Sequence, residues 1–230
     1  GATEALPLCS IEAREILIET ADRTRTGAGS CVGRALPGVE IRIIEATDGA
    51  ITELHAARPC PTGTVGEIIA HSPSATRRYD QLPDATTRAK IQDGVGFWHR
   101  MGDLGYLDAE GRLWFCGRQA EKVETASGTL YPDCCEAIVN QHPRVFRSAL
   151  IQYGTEAAVV IEPEPGAFPR NSDQRLAFEN ELRTLCEEHT MTALIETFFF
   201  QEKFPVDVRH NAKIHRLSLR RKWNKQEGRA

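Results

Sequence analysis

Residues 101–118 decide the fold, and they read MGDLGYLDAEGRLWFCGR. Apolar residues on both sides of the polar turn at 108–111 predict two strands joined as a hairpin. Asp103 precedes the turn, and Arg118 ends the second strand. A carboxylate accepts hydrogen bonds from both hydroxyls of a vicinal diol, and an arginine nearby adds donors for the same sugar or for a phosphate. The pair therefore suits a ribose, although an exposed ion pair on an ordinary hairpin would use the same two residues.

The sequence upstream of this hairpin has the period-two pattern of strands at 39–43 and at 67–71. Together with the strand at 112–117, these segments predict a small antiparallel sheet or partly closed barrel. One capped helix, which begins near Pro83, interrupts the sheet. The segment 22–30 is polar and contains glycine, so we predict a loop there.

Downstream of Arg118, helical and strand patterns alternate. Helices are predicted at 133–141 and 172–189, and strands at 148–153, 157–162 and 198–200. This alternation is typical of an α+β domain. We therefore predict an α+β chain of two domains, residues 1–117 and residues 118–230.

Composition excludes several classes of protein. The 230 residues are 41% hydrophobic and 26% charged, as in globular proteins, and no apolar run approaches the roughly 20 residues that a membrane span needs. The net charge of -4 gives no general reason to expect a nucleic-acid partner. Seven cysteines without Cys-x-x-Cys spacing indicate reduced thiols rather than disulfides or zinc ligands. We expect a cytoplasmic protein with no membrane span.

Two further motifs flank the hairpin in the sequence. Residues 1–4 read GATE, and residues 204–216 read FPVDVRHNAKIHR. Taken alone, Thr3 and Glu4 could belong to an ordinary turn or helix cap. Lys213 could equally be one charge of a basic tail that contacts nucleic acid.

The order of these three motifs resembles that of the adenylate-forming synthetase superfamily. The resemblance implies ATP and magnesium as cofactors, and it implies a role for each of several residues. The implied roles are phosphate contact for Thr3, magnesium binding for Glu4, ribose binding for Asp103 and Arg118, an adenine wall for Phe115, and catalysis at the carboxylate and α-phosphate for Lys213.

Three positions depart from the superfamily pattern. Met101 replaces the usual threonine, Ala212 replaces a glycine, and Ala120 occupies the hinge position where an acidic residue or lysine is usual. The resemblance further implies that residues 1–117 are the rear of a large N-terminal adenylating domain, chiefly its β-barrel subdomain. Residues 118–230 would be a mobile C-terminal domain. An upstream part of the same enzyme would supply the acyl pocket, so we expect no turnover from these residues alone.

Phrases at 33–38, 143–148 and 206–213 resemble one branch of the superfamily, the β-lactone synthetases of bacterial long-chain olefin biosynthesis. This resemblance implies adenylation of a long-chain β-hydroxy fatty acid, after which its own hydroxyl attacks the acyl-adenylate and releases AMP. A long-chain acyl-CoA ligase acting on a fatty acid shares every motif and is the alternative. A non-catalytic docking or nucleic-acid-binding module that uses the basic tail is an alternative of another class.

Overall fold

The structure, a computed structural model, describes residues 1–207 and 213–226. Its contacts cluster into two units. The first comprises Gly1–Ala21 and Gly29–Ala120, and the second comprises Asp22–Ala28 and the described residues from Glu121 onward. The assignment of residues 1–117 and 118–230 to two particular domains of a longer enzyme stays a prediction. No helix within the described ranges is long and apolar enough to cross a membrane.

The first unit contains a curled antiparallel sheet, which confirms the predicted sheet type. Six of its strands follow the order β1-β2-β7-β6-β4-β3, and β5 also pairs with β6. The strands are β1 Cys9–Ser10, β2 Ser30–Ala35, β3 Glu40–Ile44, β4 Gly66–His71, β5 Lys90–Asp93, β6 Gly96–Leu107 and β7 Leu113–Arg118. The hairpin predicted at 101–118 is thus formed by the two central strands β6 and β7.

Both faces of this sheet are covered. Ile43 and Ile68 pack in one apolar cluster with Met101, whereas their chain neighbours Ile44 and Ile69 pack in another with Trp98. Successive side chains of a strand point to opposite faces, so each strand contributes to both clusters. The central strands are therefore held from two sides, which gives the β6–β7 hairpin a fixed frame.

Helical segments connect the strands of the first unit. They include α1 Ala13–Glu15, a π-helical turn Ile16–Thr20, a 3₁₀ turn Leu54–Ala56 and α3 Pro83–Ala89. The helix α2 Ala21–Arg25 follows the π-helical turn in the chain, but all of it except Ala21 belongs to the second unit. The loop predicted at 22–30 is wrong in its first part, where the Thr26 hydroxyl and the Arg25 side chain both bond to Asp22 and support α2. The helix predicted at Pro83 is confirmed, but no side chain caps it at Leu82.

The second unit contains a three-stranded sheet of order β10-β11-β12 and a separate β8–β9 hairpin. Its elements are β8 Val123–Thr125, β9 Gly128–Leu130, α4 Pro132–Val139, β10 Val145–Tyr153, β11 Glu156–Pro163, α5 Ser172–Glu187, β12 Thr197–Phe200 and α6 Arg216–Gln226. The helices and strands predicted at 133–200 are confirmed. The β8–β9 hairpin and the parallel pairing of β12 with β11 were not predicted.

Four of the seven cysteines are buried, Cys116 in the first unit and Cys134, Cys135 and Cys186 in the second. Burial raises the pKa of Cys186 to about 11. The same desolvation raises the pKa of Cys135 well above its usual value. These thiols are side chains of the apolar core.

Candidate active site

Asp103 and Arg118 lie opposite each other in the β6–β7 ladder. The Arg118 Nη1 atom is 3.1 Å from Asp103 Oδ1, and the two side chains are 48% and 16% exposed. Gly102 immediately precedes Asp103 with φ +66°, a conformation that residues other than glycine rarely adopt. The hairpin therefore presents a paired carboxylate and guanidinium at its open end, with the guanidinium half-exposed and the carboxylate largely buried.

Arg100 is a buried arginine three residues before Asp103, and its role was not predicted from the sequence. Its Nε and Nη2 atoms donate to the two carboxylate oxygens of Glu67 at 2.9 and 2.6 Å. The carbonyl oxygens of Gly49, Thr47 and Arg88 accept its remaining hydrogen bonds. A guanidinium satisfied in this way fixes β6 just before Gly102 and Asp103.

Thr3 and Glu4 form a turn between Ala2 and Ala5. The backbones of Ala2 and Ala5 exchange two hydrogen bonds, of 3.1 and 2.9 Å, which leave Thr3 and Glu4 at the tip. The Thr3 side chain is exposed and Glu4 is half-buried. The Tyr79 hydroxyl donates to Glu4 Oε1 at 3.2 Å, so one carboxylate oxygen of Glu4 has a fixed position.

A buried basic pair, Lys90 and His99, also belongs to the first unit and was not predicted from the sequence. The Lys90 Nζ atom lies 3.1 Å from His99 Nδ1. Burial lowers the pKa of Lys90, and the nearby negative charge of Glu4 opposes this shift. Burial and the Lys90 charge together lower the pKa of His99. A lowered pKa favours the neutral form of His99, so the positive charge near Glu4 comes from Lys90.

Phe115 and Ala120 occupy different environments. Phe115 in β7 is partly buried and packs against the apolar cluster that contains Met101. Ala120 is exposed in a short 3₁₀ turn, Gln119–Glu121, and it borders a cavity of about 450 Å³ together with Arg100 and Gly102. The predicted adenine contact of Phe115 and the hinge role of Ala120 stay predictions.

Lys213 belongs to the second unit, whereas the other predicted site residues belong to the first. Its side chain is exposed, and its carbonyl oxygen accepts a hydrogen bond of 3.0 Å from the Asp207 backbone. The Ala212 departure noted in the sequence lies outside the described residues. Lys213 thus combines a hydrogen-bonded carbonyl group with an exposed ammonium group.

Comparison with known proteins gives a consistent set of relatives, although no family model matches the sequence. The chain is 43% identical over 228 residues to the olefin β-lactone synthetase of Xanthomonas campestris pv. campestris, which covers 95% of the chain and 40% of that protein. It is 27% identical over 214 residues to a putative acyl-CoA ligase of Bacillus subtilis, with 90% and 39% covered.

One solved structure with the same fold is the O-succinylbenzoate coenzyme A synthetase of Bacillus subtilis in complex with AMP. The TM-score is 0.70 at 23% identity, and the match covers 95% of this chain and 39% of that one. The chain therefore spans about 40% of the length of the curated relatives that it matches.

Proposed function

Because the chain belongs to the adenylate-forming superfamily, we propose that it carries the ribose site and the catalytic lysine of an enzyme that converts a β-hydroxy fatty acid into a β-lactone. The observation that carries the proposal is the Asp103–Arg118 pair, 3.1 Å apart at the open end of the hairpin. The 43% identity to an olefin β-lactone synthetase supports the choice of reaction within the superfamily.

The nucleotide would be ATP, bound through its ribose by the hairpin. The Asp103 carboxylate accepts hydrogen bonds from the two ribose hydroxyls, and Arg118 donates to the sugar or to the phosphate beyond it. Phe115 borders the adenine. Since the carboxylate and the guanidinium already face each other, little reorganisation of the protein is needed when the nucleotide arrives.

The first reaction is formation of an acyl-adenylate. An oxygen of the fatty-acid carboxylate attacks the α-phosphorus of ATP, and pyrophosphate leaves. Thr3 donates its hydroxyl to a phosphate, and the half-buried Glu4 carboxylate offers a hard oxygen to the magnesium that accompanies ATP. A magnesium ion held there would neutralise charge on the phosphates. Lys213 supplies a cation between the acid and the α-phosphate, where negative charge develops.

The second reaction is intramolecular. The β-hydroxyl oxygen attacks the acyl carbon, its proton passes to solvent or a base, and AMP leaves with the electrons of the broken acyl–oxygen bond. The attacking hydroxyl is part of the substrate, so its effective concentration is already high and no second substrate has to bind. The enzyme would need an acyl pocket, which we propose that an upstream part of the same protein supplies.

A long-chain acyl-CoA ligase is the second candidate. The 27% identity to a putative acyl-CoA ligase supports this candidate. Both reactions begin with the same adenylation step. Ligases of this superfamily turn the C-terminal domain about a hinge before the thiol attacks, and we propose that Ala120 is the corresponding hinge residue here. Its departure from the usual acidic or lysine side chain fits an enzyme with less need for the second pose.

The test uses the full-length gene product. It is incubated with ATP, magnesium and a long-chain β-hydroxy fatty acid, with and without coenzyme A, and the products are identified by mass spectrometry. We expect AMP and a product lighter than the substrate by one water in both reactions. Formation of an acyl-CoA thioester in place of the lactone would support the ligase, and absence of AMP under all conditions would contradict both candidates.

A further inference from the structure

The chain segment that carries Lys213 is anchored at both of its ends by buried carboxylates. It follows β12, its described residues are 201–207 and 213–215, and α6 begins after it at Arg216. Glu162 of β11 binds the segment before Lys213, and Glu136 of α4 binds it afterwards. Neither carboxylate has a part in the chemistry proposed above.

The first anchor is Glu162, whose side chain is 8% exposed. Its Oε2 atom accepts a hydrogen bond of 2.7 Å from the backbone nitrogen of Phe204. Arg147 Nε donates to the same oxygen at 2.7 Å, and Arg147 Nη2 donates to Oε1 at 3.2 Å. The Phe204 side chain is itself buried in the core. The carboxylate therefore fixes the backbone where the segment begins.

The second anchor is Glu136, whose side chain is also 8% exposed. It accepts hydrogen bonds from the Leu150 backbone at 2.9 Å and from Arg216 Nε and Nη2 at 2.7 and 2.5 Å. Arg216 stands three residues after Lys213. Its third nitrogen, Nη1, donates to Glu121 Oε2 at 3.2 Å. A bidentate carboxylate–guanidinium pair fixes the orientation of the Arg216 side chain as well as its position.

Between the anchors, the two legs of the segment bond to each other. Val206 and Ile214 form an antiparallel bridge, the Asp207 nitrogen donates to the Lys213 carbonyl at 3.0 Å, and the His215 nitrogen donates to the Pro205 carbonyl at 2.9 Å. Ile214 is buried next to the exposed Lys213. The opposite leg thus holds the carbonyl group of Lys213, while the long side chain is exposed.

We propose that Glu162 and the Glu136–Arg216 pair are positioning residues for Lys213. This inference rests on the proposed function, because it assumes that Lys213 acts on the acid and the α-phosphate. A displacement of about 1 Å at a catalytic group lowers the rate by about 10²-fold. Loss of either anchor therefore lowers adenylation without touching a substrate. Arg216 also donates to Glu121, the residue that follows Ala120. The segment that contains Lys213 is therefore linked to that residue.

The experiment measures ATP–pyrophosphate exchange by the full-length enzyme with a β-hydroxy fatty acid. Glu136→Gln and Glu162→Gln keep the side-chain size and remove the charge. We expect kcat to fall about 10- to 100-fold in each variant, with the KM for ATP within about twofold of the wild-type value. Glu181→Gln is the matched control, since Glu181 forms an exposed ion pair with Arg144 in the same unit, and it should leave both constants unchanged.

A double-mutant comparison separates positioning from general destabilisation. If Glu136 acts through Lys213, then Glu136→Gln costs nothing further in a Lys213→Ala background. Multiplicative losses in the double variant, or wild-type exchange in both single variants, would overturn the positioning proposal. Wild-type exchange in Lys213→Ala alone would instead refute the role of the lysine on which the proposed function depends. If Glu136→Gln does not fold, Glu162→Gln and Arg216→Lys carry the same comparison.

Discussion

Lys213 combines an exposed ammonium group with a hydrogen-bonded carbonyl group, and this suits a residue that must meet a charged substrate. We expect Lys213→Ala in the full-length enzyme to lower the adenylation rate about 10²- to 10³-fold, the usual cost of removing one preorganised electrostatic group. Pyrophosphate exchange measures the rate. Circular dichroism and the melting temperature should stay unchanged, because the side chain is exposed. Lys225→Ala in α6, another exposed lysine of the same unit, serves as the control.

Asp103 should affect nucleotide affinity more than turnover. A ribose contact is made about equally in the ground state and the transition state, so Asp103→Ala is expected to raise the KM for ATP more than it lowers kcat. Steady-state titration with ATP tests this, with Asp84→Ala in α3 as an exposed control aspartate. An unchanged KM for ATP would identify Asp103 as a structural residue of the hairpin.

The sequence allowed some of these residues to be paired in advance and not others. Asp103 and Arg118 could be paired because they flank one turn, and hairpin register places them opposite each other. Arg100 could not be assigned, because its carboxylate partner Glu67 lies on β4 and its carbonyl partners lie in the loop after β3 and in α3. Contacts of this kind depend on the finished sheet, whereas residue patterns report only local geometry.

At the level of elements, the turn between β6 and β7 is stabilised by the buried carboxylate of Asp108. Its Oδ1 accepts from the Arg112 backbone at 2.8 Å, and its Oδ2 accepts from Arg112 Nε at 2.8 Å and from the Trp114 indole at 2.9 Å. Burial alone would raise the pKa of Asp108, but these hydrogen bonds outweigh it and lower the pKa to about 2.

This low pKa predicts how stability depends on pH. A carboxyl group with a pKa lowered by folding contributes its full stability above its unfolded value near 3.8 and loses it as the pH falls towards 2. We expect Asp108→Asn to lower the free energy of unfolding by about 2 kcal/mol at pH 7 and by much less at pH 2.5. Urea denaturation at both pH values provides the measurement. A difference that does not change with pH would rule out the charged hydrogen bonds as its origin.

The elements themselves were largely predictable, and their pairing was not. The alternating patterns at 39–43 and 67–71 identified β3 and β4, because half-buried strands repeat with period two. The parallel pairing of β11 with β12 was not predicted, since α5 separates them in the chain. A short apolar run such as 198–200 does not indicate which strand it pairs with. The first part of the 22–30 segment was misassigned because polar residues that favour loops also serve in a short surface helix.

For the whole molecule, the decisive property is the choice of acceptor for the acyl-adenylate. We expect coenzyme A to leave the rate of AMP release from a β-hydroxy fatty acid unchanged within about twofold, because the tethered hydroxyl reacts before a diffusing thiol can. An unhydroxylated fatty acid with coenzyme A should give little thioester. Product masses in a competition assay decide this, and abundant thioester from the plain acid would favour the ligase.

The buried cysteines give each unit its own reporter of opening. Only a thiolate reacts readily with an alkylating reagent, and a thiol shielded in a core reacts only after the surrounding structure opens. Timed labelling followed by peptide mass analysis would therefore measure the rate at which the first unit opens around Cys116 and the second around Cys135 and Cys186. The partly exposed Cys9, Cys31 and Cys60 should be labelled first. If a bound nucleotide lowers the labelling rate of Cys116, then it stabilises the unit that contains Asp103.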